Sequence, residues 1–144
     1  PDFNFTTDVI VGFPGESDHD FQLTLDLVKE AQFSHVHTFR YSRRKGTRAD
    51  RMEDQMEERI KQERSEIIRK LTEETRLAYM QSMLGKQQRV LVERVYERGM
   101  ARGYGEHYLP VTFTTEKTTR NWFANVKLSG IEKGETPTMI ATLL

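Results

Sequence analysis

Between Asp50 and Leu84 the chain contains neither glycine nor proline. A run of thirty-odd residues dense in Glu, Arg, Lys, Gln and Met holds nothing that breaks a helix. It therefore reads as a long helix that separates an upstream segment from a downstream one. Met56, Ile60, Ile67, Leu71 and Ala78 fall four, seven, four and seven apart, which gives a narrow apolar stripe. Charges interrupt the stripe at Arg64 and Glu74. That favours a connecting helix packed along a domain over a coiled-coil seam, with a coiled-coil partner as the alternative. Gly85 stands where helices commonly stop.

Upstream, Phe3 to Gly12 is β-branched and closes on Val9-Ile10-Val11, an apolar run that suits a strand covered on both faces. Phe13-Pro14-Gly15-Glu16 has the chemistry of a type II turn. Ser17 with Asp20 resembles a capping box. Phe21, Leu25, Leu27, Val28 and Ala31 then mark an amphipathic helix to about Gln32, and Val36 to Tyr41 a second strand. Strand, helix, strand in some forty residues is a βαβ unit with parallel pairing and a right-handed crossover.

Downstream, four strand-like segments are separated by glycine-bearing turns: Gln88 to Tyr96, Tyr108 to Thr114, Trp122 to Leu128 and Thr138 to Leu143. They suit a small antiparallel β-barrel of the OB type. The fold class is thus α/β plus β: a βαβ unit within residues 1–49, a connecting helix over 50–84 and a small β-barrel over 85–144.

Composition excludes several function classes. The 144 residues hold no Cys, so they supply no disulfide, thiolate nucleophile or cysteine-bound cluster. No apolar run approaches the ~20 residues of a membrane helix. Pro1-Asp2-Phe3-Asn4 has neither the basic start nor the apolar stretch of a signal peptide, and the chain does not open with Met, so it reads as a piece of something longer. Basic and acidic residues balance at 22 each, although residues 85–144 carry nine basic against six acidic.

Four constellations have chemistry. Gly12 and Gly15 sit at a strand-to-helix junction, where α/β folds place ligand contacts; there Glu16 could accept hydrogen bonds, or the junction is simply a well-made turn. Arg40, Arg43, Arg44, Lys45 and Arg48 crowd one loop beside Tyr41. Such cations suit a phosphate-bearing substrate with Tyr41 stacked on a base, or else a solvated loop paired with Asp50, Glu53 and Asp54. His35 and His37, two apart on a strand, project to one face with Phe39 and Tyr41. No third ligand stands nearby, so packing or substrate hydrogen bonding fits better than metal. In the last third, Arg89, Arg94, Arg98, Arg102, Lys117, Arg120 and Lys127 interleave with Tyr104, Tyr108, Trp122 and Phe123. These are the ingredients of a single-strand RNA platform, unless most of the aromatics fill the barrel core. No nucleophile elbow, phosphate loop or HExxH motif is present.

Thr7-Asp8-Val9-Ile10-Val11-Gly12-Phe13-Pro14-Gly15-Glu16, and Phe39-Arg40-Tyr41-Ser42-Arg43-Arg44-Lys45-Gly46-Thr47-Arg48-Ala49 after the second strand, resemble the radical S-adenosylmethionine methylthiotransferases. Lys86 onward, with Val90-Leu91-Val92-Glu93 and Gly103-Tyr104, is similar to the TRAM domain that closes those proteins. The resemblance covers nearly the whole chain. It implies that residues 1–49 are the C-terminal part of a TIM-like radical-SAM barrel, a partial barrel segment, with 50–84 the connecting helix and 85–144 the TRAM domain. Within the family, Phe33-Ser34-His35-Val36-His37, Arg43-Arg44-Lys45-Gly46-Thr47 and Ala49-Asp50-Arg51-Met52 are most similar to the branch acting on N6-threonylcarbamoyladenosine at tRNA position 37.

The resemblance implies a cytoplasmic tRNA-modifying enzyme that inserts a methylthio group at C2 of that adenine. It would use S-adenosylmethionine and two 4Fe-4S clusters whose cysteines lie upstream of Pro1. It implies that Gly12, Pro14 and Glu16 help form the S-adenosylmethionine pocket, with Tyr41 beside its adenosine. Arg43, Arg44 and Lys45, and on the TRAM domain Arg89, Arg94, Arg102 and Lys117, would face the tRNA. No residue here is implied to be catalytic or to bind a metal, so the fragment alone is expected to be inactive and limited to RNA binding. Arg40 and Arg48 depart from the family, which often has proline there, and Asn121-Trp122-Phe123-Ala124 replaces a usual glycine-led turn. A homodimer through the exposed barrel edge or the long helix is a further expectation. The alternative readings are a non-enzymatic RNA-binding adaptor and a methylthiotransferase of the same family acting on ribosomal protein S12.

Overall fold

The computed structural model describes residues 2–97, 99–134 and 136–144. Arg98, one of the cations noted above, lies outside them. The chain divides into two compact units, Phe5–Arg76 and a second made of the first four residues with Leu77–Leu144.

In the first unit, β1 (Thr6–Val11) pairs in parallel with β2 (His35–Arg40), and α1 (Asp18–Ala31) crosses between them. Ser17 caps α1: its hydroxyl accepts from Asp20 N–H at 3.1 Å, and the Asp20 carboxylate accepts from Ser17 N–H at 2.9 Å. Gln32, at φ 51°, ends the helix in the left-handed region. Val9 and Val11 pack with Phe21, Val28 and Val36 and with Ile68 of α2 (Glu58–Ser82). The covering is one-sided, contrary to the expectation of a strand buried on both faces. Ile10 is 56% exposed and its cross-strand neighbour Phe39 54%. A period of two sends the middle residue of Val9-Ile10-Val11 to the other face, and helices cover only one face here.

The helix is shorter than the Gly/Pro-free run. Residues 49–51 form a single 3-10 turn, and 52–57 are irregular because their polar groups are used elsewhere. The Gln55 amide donates to the carbonyls of Ala49 at 2.8 Å and Met52 at 2.9 Å, and Asp54 O accepts from Gly15 N–H at 3.0 Å. The expected apolar stripe is also displaced around the helix. Ile67 and Ala78 are exposed, whereas Lys61, Arg64, Ser65, Ile68 and Thr72 are buried. The true buried face is polar at its N-terminal end, so counting apolar residues does not find it.

In the second unit, β3 (Gln87–Tyr96), β4 (Met100–Gly105), β5 (Pro110–Thr114), β6 (Phe123–Glu132) and β7 (Thr138–Leu143) close into a barrel of order β3-β4-β5-β7-β6. Two expectations are corrected. There are five strands, not four, and the barrel is not wholly antiparallel, because the β6–β7 hairpin lays β7 parallel to β5. The missed strand, β4, has two glycines and little strand propensity. Its glycine is imposed by packing: a Cβ on Gly103 would collide with the carbonyl oxygen of Leu91. Val90, Val92, Val111, Phe113, Val126, Leu128 and Met139 fill the barrel, and Met80 in the last turn of α2 and Met83 just after it join them.

Candidate functional site

At the C-terminal end of β1 the chain turns sharply into α1. Glu16 N–H donates to Phe13 O at 2.9 Å with Gly15 at φ 83°, as the Pro-Gly chemistry of a type II turn requires. Gly12, at φ 72°, is enclosed by the Lys61 side-chain stem and has no room for a Cβ. Gly12 and Pro14 are buried. Both Glu16 carboxylate oxygens lie 3.2 Å from Gly12 N–H, and one pairs with Arg64. Arg64 also donates to Glu16 O at 3.1 Å and to Asp18 at 2.7 Å. These three candidate cofactor residues therefore build the turn, and its open surface is Phe13 and Gly15. Tyr41 N–H donates to Val11 O at 2.9 Å, and its ring meets Phe13 edge-on at 5.3 Å. Gly12, Pro14, Glu16 and Tyr41 thus share one strand end.

The basic loop comes directly after β2. Arg43 is bound to Asp50, through Nε to Oδ1 at 3.0 Å and through NH2 to the carbonyl at 2.7 Å. Arg44 and Lys45 are exposed, and neither side chain has an ion pair among the described residues. Solvated cations with no internal partner remain available to an anion.

His35 Nε2 and His37 Nδ1 are 3.3 Å apart on the face that no helix covers. Burial, then His37, then Arg76 lower the His35 pKa below the ordinary imidazole value. Among the described residues no group of three or more His, Cys, Asp or Glu is placed to hold a metal.

On the barrel, register brings one row to the outer surface. Leu91 of β3 lies between Phe123 of β6 and Tyr104 of β4. Phe123 is 58% exposed, and Leu91 and Tyr104 are each 40% exposed. The Arg89 guanidinium stands 4.5 Å from the Phe123 ring. Arg94 and Arg102 are direct cross-strand partners beside a register shift in β3. Like charges so placed cost stability unless an anion offsets them. Lys117 lies 4.0 Å over Trp122, which packs against Phe113 in the core. Of the four aromatics offered as core, only Trp122 touches it. Tyr108 is 83% exposed on the β4–β5 turn at φ 56°, an unusual conformation for a bulky residue.

Sequence reasoning missed Lys61 and Arg64. The signal was present in their placement at 61, 64, 65, 68 and 72, a helical face that admits cations when their heads find acceptors.

Over 113 residues, 78% of its length, the chain is 45% identical to a threonylcarbamoyladenosine tRNA methylthiotransferase of Thermotoga maritima, of which it covers 26%. It is 46% identical over 98 residues to a tRNA-2-methylthio-N(6)-dimethylallyladenosine synthase of Caldicellulosiruptor saccharolyticus, covering 68% of the chain and 21% of the relative. A synthase of the same name from Acinetobacter baumannii is 33% identical over 134 residues, 92% of the chain and 28% of the relative. The chain's homologues are tRNA methylthiotransferases. It spans about a quarter of the length of these methylthiotransferases. No protein-family model matches it.

Proposed function

We propose that this chain is the C-terminal part of a radical S-adenosylmethionine methylthiotransferase acting at C2 of N6-threonylcarbamoyladenosine at position 37 of tRNA. In this reading Phe5–Arg76 carries the last strands of the radical-enzyme barrel, and the five-stranded barrel is the TRAM domain that holds RNA. The observation that carries the RNA role is the outward row Phe123, Leu91 and Tyr104, flanked by Arg89 and by the Arg94–Arg102 pair. Exposed rings offer stacking surfaces to unpaired bases, and the arginines meet the phosphates between them.

S-adenosylmethionine, bound to a cluster held elsewhere in the parent, would supply radical chemistry. The cluster ligands do not come from these residues, which include no Cys. The contribution of this chain is shape: Gly12, Pro14 and Glu16 fix the turn, and Phe13 and Tyr41 present rings at the same strand end. Arg44 and Lys45 extend the cationic surface of that unit toward tRNA, with Arg43 held back by Asp50.

Binding of the chain to tRNA transcripts across a salt series tests the RNA role. Affinity should fall steeply with salt. Tyr104→Ala and Phe123→Ala should each weaken binding by about 1–3 kcal/mol through lost stacking. Arg44→Ala with Lys45→Ala should flatten the salt slope. Absence of binding at low salt would overturn the RNA role.

A further inference from the structure

A cleft of about 790 Å³ opens beside the C-terminal end of β2, lined by Thr38, Arg40, Tyr41, Lys61 and Arg69 among others. A smaller one of about 220 Å³ shares Arg40 and Arg69 and adds Ser65. Three buried side-chain oxygens among the described residues have no hydrogen-bond partner, namely Thr38 Oγ1, Tyr41 OH and Ser65 Oγ. Each belongs to a residue lining one of these two clefts. Buried hydroxyls are nearly always paired, so three unpaired ones, divided between two clefts that share Arg40 and Arg69, point to a ligand rich in acceptors.

The charges are unevenly committed. Lys61 Nζ donates to Tyr41 O at 3.1 Å and pairs with Glu58, and Arg43 is bound to Asp50. Arg40 reaches Glu58 only at 4.0 Å, and Arg69 has no ion pair among the described residues. Arg40 and Arg69, common to both clefts, are therefore the cations left for an anion.

The names of the relatives state two alternatives for the group on adenine N6: threonylcarbamoyl in one, dimethylallyl in the other. The first ends in a carboxylate and a hydroxyl; the second is wholly apolar. An apolar group would leave both the hydroxyls and the guanidiniums unpaired, which a polar-lined site strongly rejects. A carboxylate beside a hydroxyl would satisfy both sets.

We infer that Arg40 and Arg69, with Thr38 and Ser65, bind the threonyl carboxylate and hydroxyl of N6-threonylcarbamoyladenosine and so select it over the dimethylallyl nucleotide. The inference rests on the proposed reading of the chain as part of a tRNA methylthiotransferase.

Fluorescence anisotropy on four anticodon stem-loops tests it. One carries threonylcarbamoyladenosine, one its methyl ester, one dimethylallyladenosine and one plain adenosine. The free acid should bind about ten-fold tighter than the ester, because charge-assisted hydrogen bonds are lost with the charge. Arg40→Gln and Arg69→Gln, both at exposed positions, should bring that ratio close to one, and Thr38→Val should reduce it. Equal affinity for acid and ester, or a ratio unchanged in both arginine variants, overturns the inference. Four equal affinities that all fall with Arg69→Gln would mean that the cleft takes a backbone phosphate; that also overturns it while leaving the RNA role intact. No binding of any stem-loop overturns the RNA role, and the inference with it.

Discussion

His35 and His37 show how a pair of side chains sets a pH response. Their ring nitrogens are 3.3 Å apart, a separation suited to one neutral ring donating to the other. A second proton would bring like charges together in a half-buried site that also has Arg76 nearby. The folded-state pKa of His35 is therefore depressed, by burial first and then by His37 and Arg76. The unfolded chain binds that proton more readily, so folding loses stability as pH falls below about 6.5 toward the folded value, and gains nothing above it. Urea midpoints measured on either side of that window should fall on acidification, and His35→Asn should remove much of the fall. An identical fall in the variant would assign the effect to other groups. Asp2, Asp20 and Glu58 do not confuse the window. Their pKa values are lowered chiefly by Lys86, Ser17 and Lys61 respectively. Their contributions are lost only below about pH 4.

At the scale of elements, α2 is a clamp on the turn it faces. Arg64 reaches three acceptors on Glu16 and Asp18, and Lys61 packs its stem over Gly12. Replacing Arg64 by Met would leave the Glu16 carboxylate, its side chain only 13% exposed, without its cation. Breaking a buried pair from one side costs about 3 kcal/mol. We expect a loss of that order in urea unfolding, and partial recovery when Glu16→Gln is added, since the neutral amide needs no counter-charge. Additive losses would show that the two side chains are not coupled. This clamp also marks where sequence reading stops. The Ser17 cap, the Pro14-Gly15 turn and the parallel βαβ unit are local, and their residues announce them. The buried face of α2 is not set by its own sequence alone: Lys61 is inside because Tyr41 O and Glu58 meet its ammonium, and Arg64 because Glu16 and Asp18 meet its guanidinium. Strand β4 was hidden for a related reason, since Gly103 is dictated by the approach of Leu91 and by nothing in its own neighbourhood. The shared strand end of Gly12 and Tyr41 was legible from the βαβ pattern, whereas the cleft with its unpaired hydroxyls depends on α2 lying beside β2.

For the whole molecule, the decisive fact is what its two strands leave uncovered. A two-stranded sheet in the Phe5–Arg76 unit has a helix-covered face and an open one. On the open face Ile10 and Phe39 are cross-strand partners, each more than half exposed. Unpaired strand edges beside exposed apolar pairs invite association with another chain. Under the proposed reading, further strands of the parent would cover this face. Without them the chain must find another cover, and the commonest source is a second copy of itself. We therefore expect sedimentation equilibrium to report self-association that deepens with concentration, and Ile10→Lys to reverse it by placing a charge at the centre of the patch. The substitution leaves Val9 and Val11, which form the packed face, untouched, so a monomeric variant would still be folded, and its circular dichroism should match the parent chain. A wild-type chain that stays monomeric at high concentration would mean that the open face is tolerated in water, and the argument from the uncovered strands would fail. If instead Ile10→Lys associates as strongly as wild type, the contact lies elsewhere, and α2 becomes the element to substitute next.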